Sequence, residues 1–236
     1  MARKSMQEKM YGLKSASRAQ RAMLAVLFGA LVAMAWWLLM ARGVTQAGIW
    51  LGQAWHEGDS VRRMLLAVGF TVYYGRFLLA GFVFLKRGIS WSEVFSIAPW
   101  LLVIVLLLSV EGGMNANPAG AAMAIGAGLF VFGSWMNTHA EWARHAWKQQ
   151  PEHRGRLYTE GWFRWTRHPN YLGDVISFSG MCLIAGAWWT AVIPIVMLAG
   201  FVFFNIPILD AHLREHYGPD FEEYARRTKK LVPFVY

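Results

Sequence analysis

One cysteine, Cys182, occurs in the chain, so no intrachain disulfide can form. Charge is scarce as well: Asp, Glu, Lys and Arg make up 16% of the 236 residues, against 56% that are hydrophobic. With a mean hydropathy of +0.31, that composition argues against an ordinary soluble domain and for a chain embedded in a bilayer. Internal repeats, low-complexity segments and signs of a second domain are all missing. A cleavable signal is not expected, because the apolar run from Ala22 is too long and follows a 21-residue basic tail. No nucleic-acid-binding motif accompanies the net charge of +9. No serine or cysteine nucleophile has a recognisable partner, and Cys182, between Met181 and Leu183 in an apolar run, reads as a buried inert thiol.

Two apparent motifs fail on context. His212 and His216 in "HLREH" have metal-ligand spacing, but His139, His145 and His153 do not complete a set, so no metal site is expected. Gly126–Gly128, "GAG", lies in an apolar run with no strand before it, so helix packing through small residues explains it better than a phosphate loop.

What is present is length of apolar run. A helix needs roughly 20 apolar residues to cross a bilayer core about 30 Å thick. Six stretches approach that length, at about Ala22–Ala41, Met64–Leu85, Val94–Val110, Pro118–Met136, Leu172–Trp189 and Thr190–Leu209. Residues 45–57 could add a short or interfacial helix. The fold class predicted is an all-α polytopic integral membrane protein of six to seven transmembrane helices, with a connector and C-terminal tail helices outside the bilayer. Basic residues crowd the N-terminal tail (Arg3, Lys4, Lys9, Lys14, Arg18, Arg21), Lys86–Arg87, the connector 142–171 and the C-terminal tail. The first connection is mixed, with Arg42, Arg62 and Arg63, and the 112–117 and 189–190 connections have no basic residue. The positive-inside rule then puts both termini and the connector in the cytoplasm.

Polar groups inside the apolar runs ask for a reason. Arg76 follows Tyr73 and Tyr74 within a span, and lies ten residues, roughly 15 Å, from Lys86, too far for snorkelling by one side chain. It predicts a polar interior cavity. Tyr73 and Tyr74 point about 100° apart, so one can face that cavity while the other packs elsewhere. At the end of the fourth span, Asn137, Glu141, Arg144, His145 and Lys148 share one helix face. A solvated helix end explains Arg144 and Lys148 but not Asn137 and Glu141.

The stretch "TRHPNYLGD", residues 166–174, puts Arg167 and His168 at the lip of the bilayer and Asn170 and Asp174 just inside it. Pro169 suits a first helical turn, so these residues surround a helix N-terminus, which favours anions. Asn170 and Asp174 repeat the i, i+4 spacing of Asn137 and Glu141. Amide–carboxylate pairs can read a ribose, carboxamide or purine edge, while arginines bind phosphate. Membrane-edge anchoring accounts for Arg167 and Tyr171 but not for Asp174. In the tail, Gly218–Pro219 breaks two short helices, and Arg226, Arg227, Lys229 and Lys230 suit headgroup contact.

The C-terminal half resembles the fold shared by steroid 5α-reductases, sterol reductases and isoprenylcysteine carboxyl methyltransferases. The resemblance rests on R-H-P-x-Y-x-G at Arg167–Gly173, on Y-G-x-x-[FYW]-x-x-Y at Tyr217–Tyr224, and on Val232–Pro233, over about residues 130–236. Asn137 with Glu141, and Asp174 after the Arg167–Gly173 signature, look like the reductases. The methyltransferases usually carry two adjacent glutamates where this chain has Leu209–Asp210.

What the resemblance implies is an NADPH-dependent reduction of the C=C bond of a 3-oxo-4-ene steroid or similar lipid enone. In that reading residues 1–21 are a basic cytoplasmic tail, 22–136 shape the lipid cavity and 137–236 hold the cofactor, all in one membrane domain. Asn137, Glu141, Asn170 and Asp174 hold the nicotinamide and adenosine portions. Arg164, Arg167, His168, Tyr217 and Tyr224 contact phosphates or shape the pocket, to which Tyr171 and His212 also belong. A tyrosine, Tyr73 or Tyr74, placed by Arg76, polarises the substrate carbonyl, with Glu57 as a candidate acid partner whose spacing departs from the family pattern. The alternatives are an S-adenosylmethionine-dependent methyltransferase acting on an isoprenylcysteine carboxylate or other lipid, and a non-enzymatic lipid-binding module. No protein partner is implied.

Overall fold

A computed structural model describes residues 17–236; the basic residues Arg3, Lys4, Lys9 and Lys14 lie outside the described part. Helices α1 (Arg18–Met40) and α2 (Gly43–Trp50) are joined by a tight reversal. Arg42 there adopts φ 58°, and a Cβ on Gly43 would stand 2.6 Å from the Trp37 carbonyl oxygen, so only glycine fits that close approach. Helix α3 (Ser60–Leu79) starts at Asp59, whose carboxylate accepts from the Arg62 amide at 2.8 Å, and runs on through a π turn, Ala80–Phe84. Arg21 of α1 donates to the carbonyls of Leu85 and Arg87 just beyond that turn. Helix α4 (Trp91–Met114) opens with a capping box between Ser90 and Glu93.

Helix α5 (Ala121–Gln149) has 29 residues, a rise of about 44 Å, so it outruns a bilayer core of about 30 Å. An irregular connector with 3₁₀ turns at Pro151–His153 and Gly161–Arg164 leads to α6 (Pro169–Ala185). Pro169 opens that helix and Gly186, at φ 77°, closes it. A 3₁₀ turn (Trp188–Ala191), α7 (Val192–Gly200), a π turn (Phe201–Asn205) and α8 (Ile206–Tyr217) then form one long segment. The tail helix α9 (Pro219–Arg227) follows Gly218.

The six apolar stretches thus each become a helical segment. Five of these, Arg18–Met40, Ser60–Phe84, Trp91–Met114, Ala121–Gln149 and Trp188–Tyr217, are long and apolar enough to cross a membrane. Helix α6, with 17 residues, is shorter, and α2 has only eight. Side chains such as Val26, Phe95, Val131 and Phe203 stay more than half exposed on the outer faces, where lipid chains solvate them. This is a multi-pass helical membrane protein.

The core joins Phe28 of α1, Leu66 and Phe70 of α3, Ile104 and Leu108 of α4, and Phe178 and Met181 of α6. Its tightest seam is between α5 and α6. A Cβ on Gly133 would meet the Gly173 carbonyl oxygen at 2.5 Å, and one on Gly126 the Gly180 oxygen at 2.7 Å. Van der Waals contact between backbones replaces the hydrophobic driving force that lipid cannot supply. That seam fixes the depth of Asn137 and Asp174 relative to one another. Cys182 is buried within α6 and directs its thiol at the Thr190 carbonyl, 3.2 Å away.

Candidate active site at the α3–α5–α6 junction

Arg76, in the last turn of α3, forms an ion pair with Asp174 of α6 at 2.8 Å and donates to the Ser134 hydroxyl of α5 at 3.0 Å. Its guanidinium carbon lies 5.3 Å from the ring centroid of Tyr73. Asp174 is the sixth residue of α6, about 8 Å below the start of that helix. Three helices therefore deliver one cation, one carboxylate, one hydroxyl and one phenol to a single point. Both charged side chains are largely buried, 10% and 19% exposed, and each would be costly to desolvate without the other. The Arg76 Nε is buried with no hydrogen-bond partner.

The two tyrosines separate cleanly. Tyr73 packs edge-on against Phe178 and Phe28 beside the ion pair. Tyr74 turns to α1 and spends its hydroxyl on the Ala25 carbonyl, 3.0 Å away. Glu57 is not brought to this cluster: it pairs with Arg63 at 2.6 Å near the opposite end of α3. Arg63 precedes Tyr73 by ten residues, about 15 Å of helix. The carboxylate that the fold sets beside Tyr73 is Asp174.

Above the ion pair, the polar face of α5 continues outward. Asn137 donates to the Asn170 carbonyl at 2.8 Å, tying α5 to the first turn of α6. Glu141 pairs with Arg144 at 2.6 Å. Lys148 donates to the Tyr217 hydroxyl at 3.0 Å and to the Arg156 carbonyl. Tyr171 stacks on Phe201 of the π turn at 4.4 Å and on His168 at 5.4 Å. Asn137, Glu141, Asn170, Tyr171, Asp174 and Tyr217 thus share one polar face, with Arg144 and Lys148 at its outer end.

Arg167, His168 and Tyr224 turn the other way, into the protein. Arg167 donates to Asp210 (2.9 Å) and to the carbonyls of Ala225 and Thr228 (3.0 and 2.8 Å). His168 Nε2 lies 2.9 Å from the other oxygen of Asp210. Tyr224 donates to the Phe163 carbonyl at 2.7 Å. The Thr166 hydroxyl donates to the Lys230 carbonyl, and Thr166 and Lys229 form a parallel β-bridge. Together these contacts clasp the C-terminal tail onto the connector and the start of α6. Burial lowers the His168 pKa, against the opposing pull of Asp210, and raises that of the Tyr224 phenol. A phosphate contact from Arg167 or His168 does not fit, because the side chains are only 8% and 1% exposed and both terminal guanidinium nitrogens and the His168 Nε2 face buried protein acceptors.

Arg164 and His212 also fall outside the polar face. Arg164 ends the Gly161–Arg164 turn and lines a cleft with Trp135 and His139, on the side of α5 opposite Ser134 and Glu141. His212 stacks on His216 at 6.2 Å, and no group of three metal-ligating side chains occurs among the described residues. Ser134 was not read from the sequence, although extending the Asn137–Glu141 face one turn inward reaches it. Asp210 stands out in sequence only as the lone acid of Leu209–Asp210; its pairing has no local signal, because its partners lie 42 and 43 residues away.

Residues 89–228 match the sequence model of DUF1295, described as a protein of unknown function. The human 3-oxo-5-alpha-steroid 4-dehydrogenase 2 is 26% identical over 48% of this chain and 42% of its own. The Delta(14)-sterol reductase of Schizosaccharomyces pombe is 35% identical over 34% of this chain and 20% of its own. Protein-S-isoprenylcysteine O-methyltransferase B of Arabidopsis thaliana is 32% identical over 39% and 46%. The chain spans less than half the length of these curated relatives. They support a superfamily of membrane reductases and methyltransferases.

Proposed function

The chain belongs to the DUF1295 family, and we propose that it is an NADPH-dependent reductase of a lipid enone such as a 3-oxo-4-ene steroid. The observation that carries this reading is the meeting of Tyr73, Arg76 and Asp174. Reduction of an enone develops negative charge on its carbonyl oxygen, which needs a fixed hydrogen-bond donor in a water-poor site. Tyr73 is a neutral phenol on a packed helix, and the Arg76 guanidinium beside its ring favours negative charge at that point. Asp174 holds Arg76 in place and keeps the net charge of the pair near zero before reaction.

The polar face suits a dinucleotide. Arg144, whose side chain is 43% exposed, and Lys148 offer cations to a pyrophosphate near the Tyr217 ring. Asn137, Asn170 and Glu141 offer amide and carboxylate groups to a carboxamide or ribose, and the Tyr171–Phe201 stack offers an aromatic wall. When bound, NADPH supplies the hydride that goes to the β-carbon of the enone. Tyr73 donates a hydrogen bond to the carbonyl oxygen as the enolate forms, and a solvent proton restores the ketone at the α-carbon. Arg167, His168, Asp210 and Tyr224 act at a distance, by fixing the tail and the start of α6.

The methyltransferase reading draws on the Arabidopsis relative. Against it, the acid at Leu209–Asp210 is engaged by both Arg167 and His168, so it has no free carboxylate for a cationic sulfonium. Calorimetry of the detergent-purified protein with NADPH and with S-adenosylmethionine separates the two. Micromolar NADPH binding that weakens in Arg144→Gln, a cation of the polar face, supports the reductase; binding of S-adenosylmethionine alone overturns it, and binding of neither leaves a lipid-binding module.

A further inference from the structure

On the side of α5 turned away from the polar face, two adjoining clefts share Trp162 and Trp165. The first, about 320 Å³, is walled by Phe132, Met136, Leu172, Ile176 and the tail residues Pro233 and Phe234. The second, about 450 Å³, is formed by Trp135, His139, Gly161 and Arg164. Their order follows the helices. Leu172 and Ile176 lie about 5 and 11 Å below the start of α6, whereas Gly161 and Arg164 precede that helix. On α5, Phe132 lies about 10 Å deeper than His139. Polarity is thus graded along the helix axes: apolar at depth, cationic and imidazole-bearing at the membrane surface.

We infer that these clefts form a binding site for an anionic phospholipid, distinct from the proposed cofactor face and independent of the reductase reading. One acyl chain fills the deep cleft and the phosphate meets Arg164 at the top. Three observations commit to that occupant. Arg164 forms no hydrogen bond or ion pair with any described residue, and no carboxylate lines either cleft, so a positive charge is presented without compensation. Trp165 (51% exposed), shared by the clefts, and Trp135 (52%), in the upper one, suit the depth at which indole rings sit against lipid headgroups. The clefts together reach the volume of ordinary ligand sites, and basic pockets beside membrane helices bind anionic headgroups. The tail residue Phe234 packs edge-on against Trp165 at 5.7 Å, so the occupant also bears on the tail that Arg167 clasps.

Native mass spectrometry of the full chain, released from detergent with phosphatidylglycerol and phosphatidylcholine of matched acyl chains, tests the site. The parent protein retains phosphatidylglycerol over phosphatidylcholine by about five-fold, the effect of one well-placed arginine. Arg164→Gln abolishes that preference, while Arg154→Gln, an exposed cation elsewhere in the connector, keeps it. Ile176→Trp, which fills the deep cleft, lowers retention of both lipids, with thermal unfolding reporting whether each variant is folded. Equal retention of the two lipids by the parent overturns the proposal, as does equal loss in Arg164→Gln and Arg154→Gln. Full displacement by soluble glycerol phosphate also overturns it, since the acyl cleft then contributes nothing.

Discussion

Arg76 and Asp174, 98 residues apart in the chain, meet at 2.8 Å and join the front half of the protein to the back half. Without Asp174 the guanidinium is left in an apolar bundle with one neutral partner, Ser134. Asp174→Ala therefore destabilises by about 3–5 kcal/mol, the cost of an uncompensated buried charge. Replacing both residues, as Arg76→Met with Asp174→Ala, recovers most of that loss. A double-mutant cycle on unfolding in detergent measures the coupling; additive losses would show that the two charges act independently.

Tyr73 and Tyr74 give opposite results when each is changed to Phe. Loss of the Tyr73 hydroxyl lowers turnover of an enone substrate by about 100-fold or more, the usual effect of removing an oxyanion donor. Loss of the Tyr74 hydroxyl removes only its bond to Ala25, costing about 1 kcal/mol of stability with turnover kept. Kinetics and thermal unfolding on both variants check this, and a Tyr73→Phe enzyme with full turnover refutes the proposed role.

Arg167 holds the tail through three acceptors: Asp210, Ala225 and Thr228. A lysine ammonium cannot reproduce that planar fork. Arg167→Lys therefore loosens α9 and speeds tryptic cleavage at Arg226 and Arg227 by about ten-fold or more, the factor that 1.4 kcal/mol of easier local opening brings. Cleavage at the parental rate would show that the tail is held by its apolar contacts alone.

His168 makes the fold sensitive to acid. Burial keeps its folded pKa below the ordinary value of 6.5, the charges of Arg167 and Lys230 push the same way, and Asp210 opposes them. The unfolded chain therefore takes up a proton at a higher pH than the folded chain does. The stability this provides is complete above the unfolded value and declines as pH falls from about 6.5 toward the folded pKa. Unfolding temperatures between pH 8 and pH 5 drop more steeply for the parent than for His168→Gln; equal slopes would assign the acid sensitivity to other groups.

Much of this architecture is legible in sequence because bilayer thickness and helical rise are fixed. Six apolar runs give six helical segments, although the run expected at Leu172–Trp189 forms a helix at Pro169–Ala185 and only five of the segments are long and apolar enough to cross a membrane. The helix end before Gly218–Pro219 is legible, but the π turn at Phe201–Asn205 and the fusion of the last apolar run with the helix ending at Tyr217 are not, since backbone hydrogen-bond register has no compositional signature. The candidate site is legible only in part. Helical periodicity reveals that Asn137 and Glu141 share a face and that Tyr73 and Tyr74 do not.

Which face meets which neighbour is a different question, and periodicity cannot answer it. Arg164, Arg167 and His168 stand within five residues of one another as basic groups beside a helix start, and in sequence they read alike. The fold sends Arg167 and His168 inward to Asp210 and leaves Arg164 on the outer side of α5. In the same way Asp174, and not Glu57, becomes the carboxylate near Tyr73. Composition and spacing are enough to locate the apolar helical segments and the supply of polar groups, because those depend on local chemistry and bilayer thickness; they leave the exact ends open, since α5 runs on to Gln149 and α6 covers Pro169–Ala185. The partners come from packing, because a buried charge is stabilised only by a group that the fold brings within a few ångströms.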